Sequence, residues 1–398
     1  MLFRNSKRTF LVVMSLTLLL TVGVLSLGAM RPVNATVNTF RPCDVVAGIG
    51  FSQFNWLRPN VCPGIPSSLT LVQTISDPSS SFYTTGAAFD VASCESAGIT
   101  GGIPNPNPGV PCLYATDFAA SSVSVFDNEG NFLWFCGGLG AFGGEPESVS
   151  VVPSPGGLSP VIVVGNAGSH NIETAPLPCT ASSTITQHGP VTTENVGTDW
   201  VDMQANKCDV HYTSEGTHVL DFNVCTDTQG SNNASLTGSN GFANKFLVGT
   251  GDIVADAQHV SITNGGVESS TCDSSSPGAS GLFSMDINPG GNEFAVGSFD
   301  NNKIDYITTA HCVAGQASPD ATFDAIQGAS TSGLYGVAIY GEVTAAVTTS
   351  SSTTSSTVGV PEFGAGLSVT LLISAVAFVG LTLLIRGKRH SPIASRLP

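Results

Sequence analysis

The stretch LFSMDINPGGNEFAVGSFDNNKIDYI, residues 282–307, decides the fold class. It reads as a strand, a Pro-Gly-Gly turn, a second strand that ends in the small residues Gly297 and Ser298, and a third strand. Between the second and third strands stands Asp-Asn-Asn, a turn former like Pro and Gly. Short runs rich in Val, Ile, Phe and Tyr between such turns predict antiparallel β-strands.

The same phrase recurs along the chain. Residues 147–153 lead into 161–166 and 171–174, and strands are also predicted at 113–118, 122–126 and 131–135. Weaker copies begin near Ala88, Trp200 and Leu334. Recurrence at about 40–50 residues is typical of β-propeller blades, because one four-stranded sheet cannot bury both faces but a ring of sheets can. We predict an all-β fold, a β-propeller of about six blades, with five or seven open and tandem β-sandwiches as the alternative.

The phrases at 113–126 and 282–307 resemble the blades of NHL-type and YVTN-type propellers, which often carry an Asn-Pro-Gly-Gly turn. The resemblance covers short phrases and not the whole domain. It implies a rigid ring, and it leaves function open because propellers host many activities. The region 39–79 has few repeat features and is expected to be a cap or part of the closing blade.

The N-terminus has the pattern of an export signal. Arg4, Lys7 and Arg8 precede an uncharged apolar run at 10–28, and small residues follow as far as Ala35. A basic segment, an apolar segment and a small-residue cleavage site predict a signal peptide over residues 1–35. The alternative is an uncleaved signal anchor. The exported domain is then expected at 36–342.

The C-terminus has the pattern of a membrane anchor. Residues 364–385 are apolar, and about 20 such residues suffice to cross a bilayer. Arg386, Lys388 and Arg389 follow and are expected to stay in the cytoplasm, which places the preceding chain outside. Residues 343–360 are rich in Ser and Thr, and they are predicted to form a disordered stalk.

Between the stalk and the apolar run stand Pro361, Glu362, Phe363 and Gly364. Together with the helix and the basic cluster, they resemble the C-terminal sorting signals of archaeal surface proteins, which carry a Pro-Glu-Phe-type motif. The resemblance implies that an archaeosortase-like enzyme in the membrane recognises residues 361–398 and removes the helix, much as a GPI signal is removed. The alternative is a plain membrane anchor.

Charge and cysteine content limit the partners and the compartment. The net charge is −16, and between residues 42 and 360 the basic residues are Arg58, Lys207, Lys245 and Lys303. Nucleic acid is therefore not an expected partner, because phosphate binding needs Lys and Arg. The expected partners are the membrane, the archaeosortase-like processing enzyme and an unknown extracellular ligand or envelope partner.

The chain has ten cysteines, all in the exported part, which indicates disulfides. The plausible local pairs are Cys43–Cys62, Cys94–Cys112 and Cys208–Cys225, although spacing alone does not determine connectivity. Asn233 fits the N-glycosylation pattern in a polar loop.

Several motifs have both a chemical and a structural interpretation. Gly138, Gly140 and Gly143 spell GxGxxG, but Glu-Pro-Glu follows where a dinucleotide site needs a helix, so a loop is predicted. Cys208, His211 and His218 form a possible copper site, with a disulfide and surface histidines as the alternative.

The acidic segment 300–305 has oxygen ligands at calcium-like spacing, but it lacks the Gly and Glu of an EF-hand loop. A turn is the favoured interpretation, so no cofactor is predicted, with calcium as the alternative. Trp134, Trp200, Tyr114 and Tyr340 are predicted to be core or blade-face residues, with a sugar-binding face as the alternative.

Three functional classes follow. The favoured one is a non-enzymatic surface protein with a binding, adhesive or envelope role. The second is a propeller enzyme (a lactonase, lyase or hydrolase), which needs inward-facing His, Asp or Glu with perturbed pKa values at the channel mouth. The third is a metal-binding surface protein. No catalytic residue is predicted.

Overall fold

The structure, a computed structural model, describes residues 38–79, 83–96, 111–152, 159–203, 208–231, 234–236, 241–247, 251–255, 259–264, 267–273, 281–288, 291–299, 301–313, 318–327 and 333–341. The strands in these residues are β1 (Val45–Gly50), β2 (Gln53–Pro59), β3 (Leu69–Ser76), β4 (Thr84–Phe89), β5 (Leu113–Asp117), β6 (Ser122–Phe126), β7 (Phe132–Phe135), β8 (Pro146–Val152), β9 (Val161–Asn166), β10 (Ile172–Pro176), β11 (Thr186–His188), β12 (Val201–Met203), β13 (Asp209–Tyr212), β14 (His218–Asn223), β15 (Thr228–Gln229), β16 (Ala234–Ser235), β17 (Ala243–Leu247), β18 (Gly251–Ala255), β19 (His259–Asn264), β20 (Val267–Asp273), β21 (Leu282–Ile287), β22 (Glu293–Ser298), β23 (Lys303–Thr308), β24 (Ala321–Asp324) and β25 (Gly336–Ile339). The helices are α1 (Val91–Ser96), α2 (Thr309–Val313) and a 3-10 helix (Phe118–Ala120).

The strands form six antiparallel four-stranded blades. From the innermost strand outward, these are β25-β1-β2-β3, β4-β5-β6-β7, β8-β9-β10-β11, β12-β13-β14-β15, β17-β18-β19-β20 and β21-β22-β23-β24, numbered here as blades 1 to 6. The short strand β16 pairs with β14 and with β20, and so joins blades 4 and 5 into one continuous sheet.

The blades close into a ring. Each innermost strand contacts the next, from β25 through β4, β8, β12, β17 and β21 and back to β25. Closure depends on blade 1, where β25 near the end of the domain pairs with β1 near its beginning, from Val45↔Ile339 to Gly48↔Gly336. The prediction of six blades is confirmed, the sandwich alternative is wrong, and region 39–79 belongs to the closing blade.

The hydrophobic core is divided among the spaces between blades. Each buried cluster is formed mainly by residues of two successive blades. In β1, for example, Val45, Ala47 and Ile49 face blade 6, whereas Val46 faces blade 2. A strand buried on both sides needs apolar residues at every position, which is why β1 and β9 are continuous apolar runs.

Small residues in the second strands let the blades approach closely. A Cβ atom on Gly48 would lie 2.1 Å from the carbonyl oxygen of Thr84 in the next blade, and one on Gly165 would lie 2.6 Å from the carbonyl oxygen of Asp199. In blade 2 the hydroxyl of Thr116 instead donates to the carbonyl oxygen of Glu147 at 3.0 Å. Close packing against the next blade therefore explains why the second strand of the recurring phrase carries a small residue.

The chain departs from the predicted phrase after β4. The weak copy near Ala88 continues as helix α1 and not as a strand. The carboxylate of Asp90 accepts a hydrogen bond from the amide of Ser93 at 3.1 Å, a typical N-terminal helix cap, so the chain turns into a helix there.

Four disulfides lie wholly within the described residues. Cys43–Cys62, Cys94–Cys112 and Cys208–Cys225 confirm the predicted local pairs. Cys136–Cys179 joins the residue after β7 in blade 2 to the loop between β10 and β11 in blade 3. Cys312 is also disulfide-bonded.

Within the described part of the chain, no helix is both long and apolar enough to span a membrane. The predicted signal peptide, stalk, sorting motif, anchor helix and basic cluster all lie outside the described residues, as does Asn233.

Candidate functional site: the channel mouth

All innermost strands begin at one end of the central channel, because each follows the outermost strand of the preceding antiparallel blade. We call this end the upper face. Second strands also end there, so the residues just before an innermost strand and just after a second strand surround the channel mouth.

Aromatic side chains occupy these positions in three adjacent blades. Tyr335 and Tyr83 directly precede β25 and β4, and Phe118 and Phe299 directly follow β5 and β22. Their ring centroids form a chain with successive separations of 6.0 Å (Phe118–Tyr83), 5.0 Å (Tyr83–Tyr335) and 5.0 Å (Tyr335–Phe299). Tyr83 is 42% exposed, and Phe51 at the nearby β1–β2 turn is 49% exposed. We call these five residues the mouth aromatics.

A buried carboxyl pair lies beside the mouth aromatics, between blades 1 and 2. Asp77 follows β3 and Asp117 ends β5. Ser124 donates to one oxygen of Asp117 at 2.7 Å, and the amide of Ser79 donates to one oxygen of Asp77 at 2.7 Å. Burial, followed by the charge of Asp77, raises the pKa of Asp117 to about 8, and burial also raises the pKa of Asp77. The two carboxyl groups also hydrogen bond to each other.

This pair predicts a specific pH dependence of stability. An unfolded Asp has a pKa of about 3.9, so between about pH 4 and the folded pKa of about 8 the native state holds a proton that the unfolded chain has lost. The free energy of unfolding should therefore fall as the pH rises through this window, by up to about 1.4 kcal/mol per pH unit for this proton. We expect Asp117→Asn, which has no charge to bury, to show a shallower fall when denaturant unfolding is measured from pH 5 to pH 8. If the unfolding free energies of the wild type and Asp117→Asn fall equally with pH, Asp117 is not the group that carries this pH dependence.

A second carboxyl group cluster lies on the other side of the mouth, in blades 3 and 4. Glu147 is the second residue of β8, and Asp199 lies just before β12. The hydroxyl of Ser148 donates to the carbonyl oxygen of Asp199 at 2.8 Å and accepts from the amide of Val201 at 2.9 Å, which fixes the start of β12 against β8. The side chains of Glu147 and Asp199 hydrogen bond to each other.

The electrostatics of this second pair resemble those of the first. Burial raises the pKa of Asp199 well above its usual value, and the charge of Glu147 adds to the effect. Burial also raises the pKa of Glu147, with further contributions from Glu215 and Glu145. Glu215 itself has a raised pKa and a positive φ of 48°, in the β13–β14 turn. Carboxyl groups with raised pKa values hold a proton up to a higher pH than exposed carboxyl groups do.

Deeper in the channel, one buried lysine connects the blades. The ammonium of Lys245 on β17 lies 3.2 Å from the carboxylate of Asp286 on β21 and 3.8 Å from that of Asp202 on β12. Asp202 also accepts from Ser150 on β8 at 2.8 Å, and Asp286 accepts from the amide of Ile339 on β25 at 2.5 Å. Five of the six innermost strands thus meet in one charged network, here called the channel network.

The predicted chemical sites have different outcomes. The sulfur of Cys208 is bonded to Cys225, so it is no thiolate ligand and the copper hypothesis is wrong. His218 lies 2.6 Å from the carboxylate of Glu194 instead. The glycines of the GxGxxG sequence lie in the loop between β7 and β8, with a strand and no helix after it, as predicted.

At the possible calcium segment, Asn302 has the left-handed conformation of a turn, and Asp305 accepts a hydrogen bond from Thr322 at 2.8 Å. Asp300 lies outside the described residues. Among the residues that the structure does describe, no group of three or more His, Cys, Asp or Glu side chains is arranged to hold a metal ion.

The aromatic residues singled out from the sequence are packing residues. Trp200, Tyr114 and Tyr340 are buried, and Trp134 is half-buried with its indole NH donating to the carbonyl oxygen of Cys179 at 2.7 Å. Among the residues that the structure describes, the exposed aromatics are Tyr83 and Phe51. Tyr83 directly precedes β4 and Phe51 directly follows β1. These positions place both residues at the channel mouth, but they can be recognised only after each strand has been assigned to its place in a blade.

Comparisons with known proteins found only a distant structural similarity. No protein-family model matches the chain, and no curated protein sequence matches it. Among the solved structures that match is the structure of U3-55K, which shares 11% sequence identity at a TM-score of 0.39. The alignment covers 53% of this chain and 60% of that chain. The assignment of a six-bladed propeller rests on the strand pairing and ring closure described above.

Proposed function

We propose that the chain is an exported, cell-surface β-propeller with a non-enzymatic binding role, which presents its channel mouth to an extracellular ligand. The observation that carries the proposal is the state of the cysteines. Nine of them are disulfide-bonded, and no free cysteine occurs among the described residues. Structural disulfides persist in oxidising compartments outside the cytoplasm.

The mode of anchoring is part of the same proposal. Residues 361–398 supply a Pro-Glu-Phe-Gly motif, an apolar segment and a basic cluster in the order of an archaeal sorting signal, and residues 343–360 supply a spacer. The mature protein then ends near Pro361, attached to the membrane by an added lipid, with the propeller outside.

Intact mass and C-terminal peptide mapping of the protein from its native membrane test this topology. We expect a chain that begins near residue 36, ends near residue 361 and carries a lipid-sized added mass. A chain that keeps residues 364–398 would instead be a single-pass membrane protein. Protection of the propeller from protease added to intact cells would contradict a surface location altogether.

One observation favours an enzyme as the second candidate. Glu147 and Asp199 form a hydrogen-bonded carboxyl pair with raised pKa values beside the channel, which meets the requirement stated above for a propeller enzyme. Such a pair can supply the acid and the base of a hydrolytic reaction. Release of product from a bound ligand distinguishes this candidate from a binding protein.

A further inference from the structure

The two kinds of side chain at the channel mouth lie on different sides of it. The mouth aromatics belong to blades 6, 1 and 2, and the cluster of Glu145, Glu147, Asp199 and Glu215 belongs to blades 3 and 4. A ligand seated over the channel therefore meets aromatic rings on one side and carboxyl groups on the other.

The aromatic side is suited to weakly polarised CH groups. The face of an aromatic ring is partly negative, and it attracts CH hydrogens that carry a small positive charge. Tyr83 is exposed at 42% although its ring touches two other rings, so part of its surface is open to a partner. The edge-on contacts hold the rings in place, which reduces the entropy lost when a ligand binds.

The carboxyl side is suited to hydroxyl groups. One oxygen of Asp199 is buried and has no hydrogen-bond donor in the structure, and Asp199 is only 1% exposed. A buried acceptor without a donor is costly unless a proton or a ligand supplies one. Because burial raises the pKa values of Glu147, Asp199 and Glu215, these groups hold protons more readily than exposed carboxylates and can both donate and accept.

The same facts separate the possible ligand classes. An anionic ligand would meet carboxyl groups, in a chain with a net charge of −16. A basic peptide would find aromatic faces for cation–π contacts, but burial disfavours the charged form of Glu147 and Asp199, which weakens their attraction for cations. A neutral, hydroxyl-rich chain matches both sides of the mouth, since a sugar ring has CH faces and a hydroxyl rim.

We propose that the channel mouth binds a neutral carbohydrate chain, with sugar rings on Tyr83 and Tyr335 and sugar hydroxyls bonded to the half-buried carboxyl groups of Glu147 and Glu215. This inference rests on the proposed binding role and names its ligand class. Carbohydrate chains are abundant outside cells, where the propeller lies in the topology proposed above.

The test measures binding of the purified full chain to separate immobilised probes: a neutral α-glucan, a neutral β-glucan, a neutral mannan, heparin and poly-lysine. We expect binding to at least one neutral polysaccharide and a loss of affinity of about tenfold or more in Tyr83→Ala and in Tyr335→Ala. Tyr83→Phe, which keeps the ring, should retain most of the affinity. Val61→Ala is the matched control, because Val61 is 41% exposed in the β2–β3 loop at the opposite face.

The remaining outcomes are distinguishable. Binding to poly-lysine or heparin alone would overturn the carbohydrate proposal and leave a binding role standing. Equal losses in Val61→Ala and Tyr83→Ala would place the ligand away from the mouth and overturn the inference. If the wild-type chain binds none of the five probes, the carbohydrate inference fails, while the surface location is decided separately by the mapping experiment. Shortening of a bound polysaccharide that stops in Glu147→Gln would support the carbohydrate site and identify the protein as an enzyme.

Discussion

Replacing Lys245 by methionine should cost about 3–5 kcal/mol of unfolding free energy, because the carboxylates of Asp286 and Asp202 would lose a buried positive partner. Lys245 and both carboxylates are almost fully buried, and the ammonium lies 3.2 Å from Asp286. Burial raises the pKa of Asp286 and the charge of Lys245 lowers it, so removal of the lysine makes ionised Asp286 costly. Methionine keeps an unbranched side chain of nearly the same length, and the loss therefore mainly reports the charge.

The measurement is denaturant unfolding of the purified protein at neutral pH. Lys303→Met is the matched control, because Lys303 is half-buried on β23 and should change stability by less than about 1 kcal/mol. If Lys245→Met also carries Asp286→Asn, part of the lost stability should return, since one unpaired charge has gone. Equal stabilities of Lys245→Met and Lys303→Met would show that the channel network does not hold the ring together.

Removing the disulfide between Cys136 and Cys179 should cost about 4 kcal/mol, the chain-entropy value for its separation of 43 residues. Cys136 follows the outermost strand of blade 2, and Cys179 follows β10 of blade 3. In the unfolded chain this bridge keeps the two segments close together, which lowers the conformational entropy of the unfolded state. The double variant Cys136→Ala/Cys179→Ala is compared with the wild type by denaturant unfolding under non-reducing conditions.

Cys208 and Cys225 provide the comparison. They are 17 residues apart and flank the β13–β14 hairpin within one blade. Their removal should cost about 3 kcal/mol on the same chain-entropy scale, less than the bridge between blades. A larger loss from Cys208→Ala/Cys225→Ala than from Cys136→Ala/Cys179→Ala would contradict loop length as the main cause.

The channel network and the channel mouth share the strand β12. Asp199 lies just before this strand and takes part in the carboxyl pair at the mouth, whereas Asp202 within it contacts Lys245. The position of Asp199 is further fixed by the hydroxyl of Ser148 on β8. Stability of the ring and geometry of the proposed binding site therefore depend on overlapping groups, and variants at the mouth are best chosen among exposed residues such as Tyr83.

The sequence by itself determined the features that depend on near neighbours. Alternation and turn residues predicted β6 at 122–126 and β9 at 161–166, and both strands have these bounds in the structure. Three disulfides between cysteines 17–19 residues apart were also named as plausible local pairs, and the structure contains all three. The export, sorting and NHL/YVTN interpretations depend on local motifs too, and they stay predictions.

Only the tertiary structure decided which distant residues meet. Pairing of β1 with β25 joins residues almost 300 positions apart, and neither strand shows by its own pattern which partner it takes. The meeting of Lys245 with Asp202 and Asp286, the Cys136–Cys179 bridge and the grouping of Tyr83 with Tyr335 all require the closed ring. Periodicity records which face of a strand is buried, but the choice of neighbouring blade is made by packing across the ring, and that packing exists only when all six blades are in place.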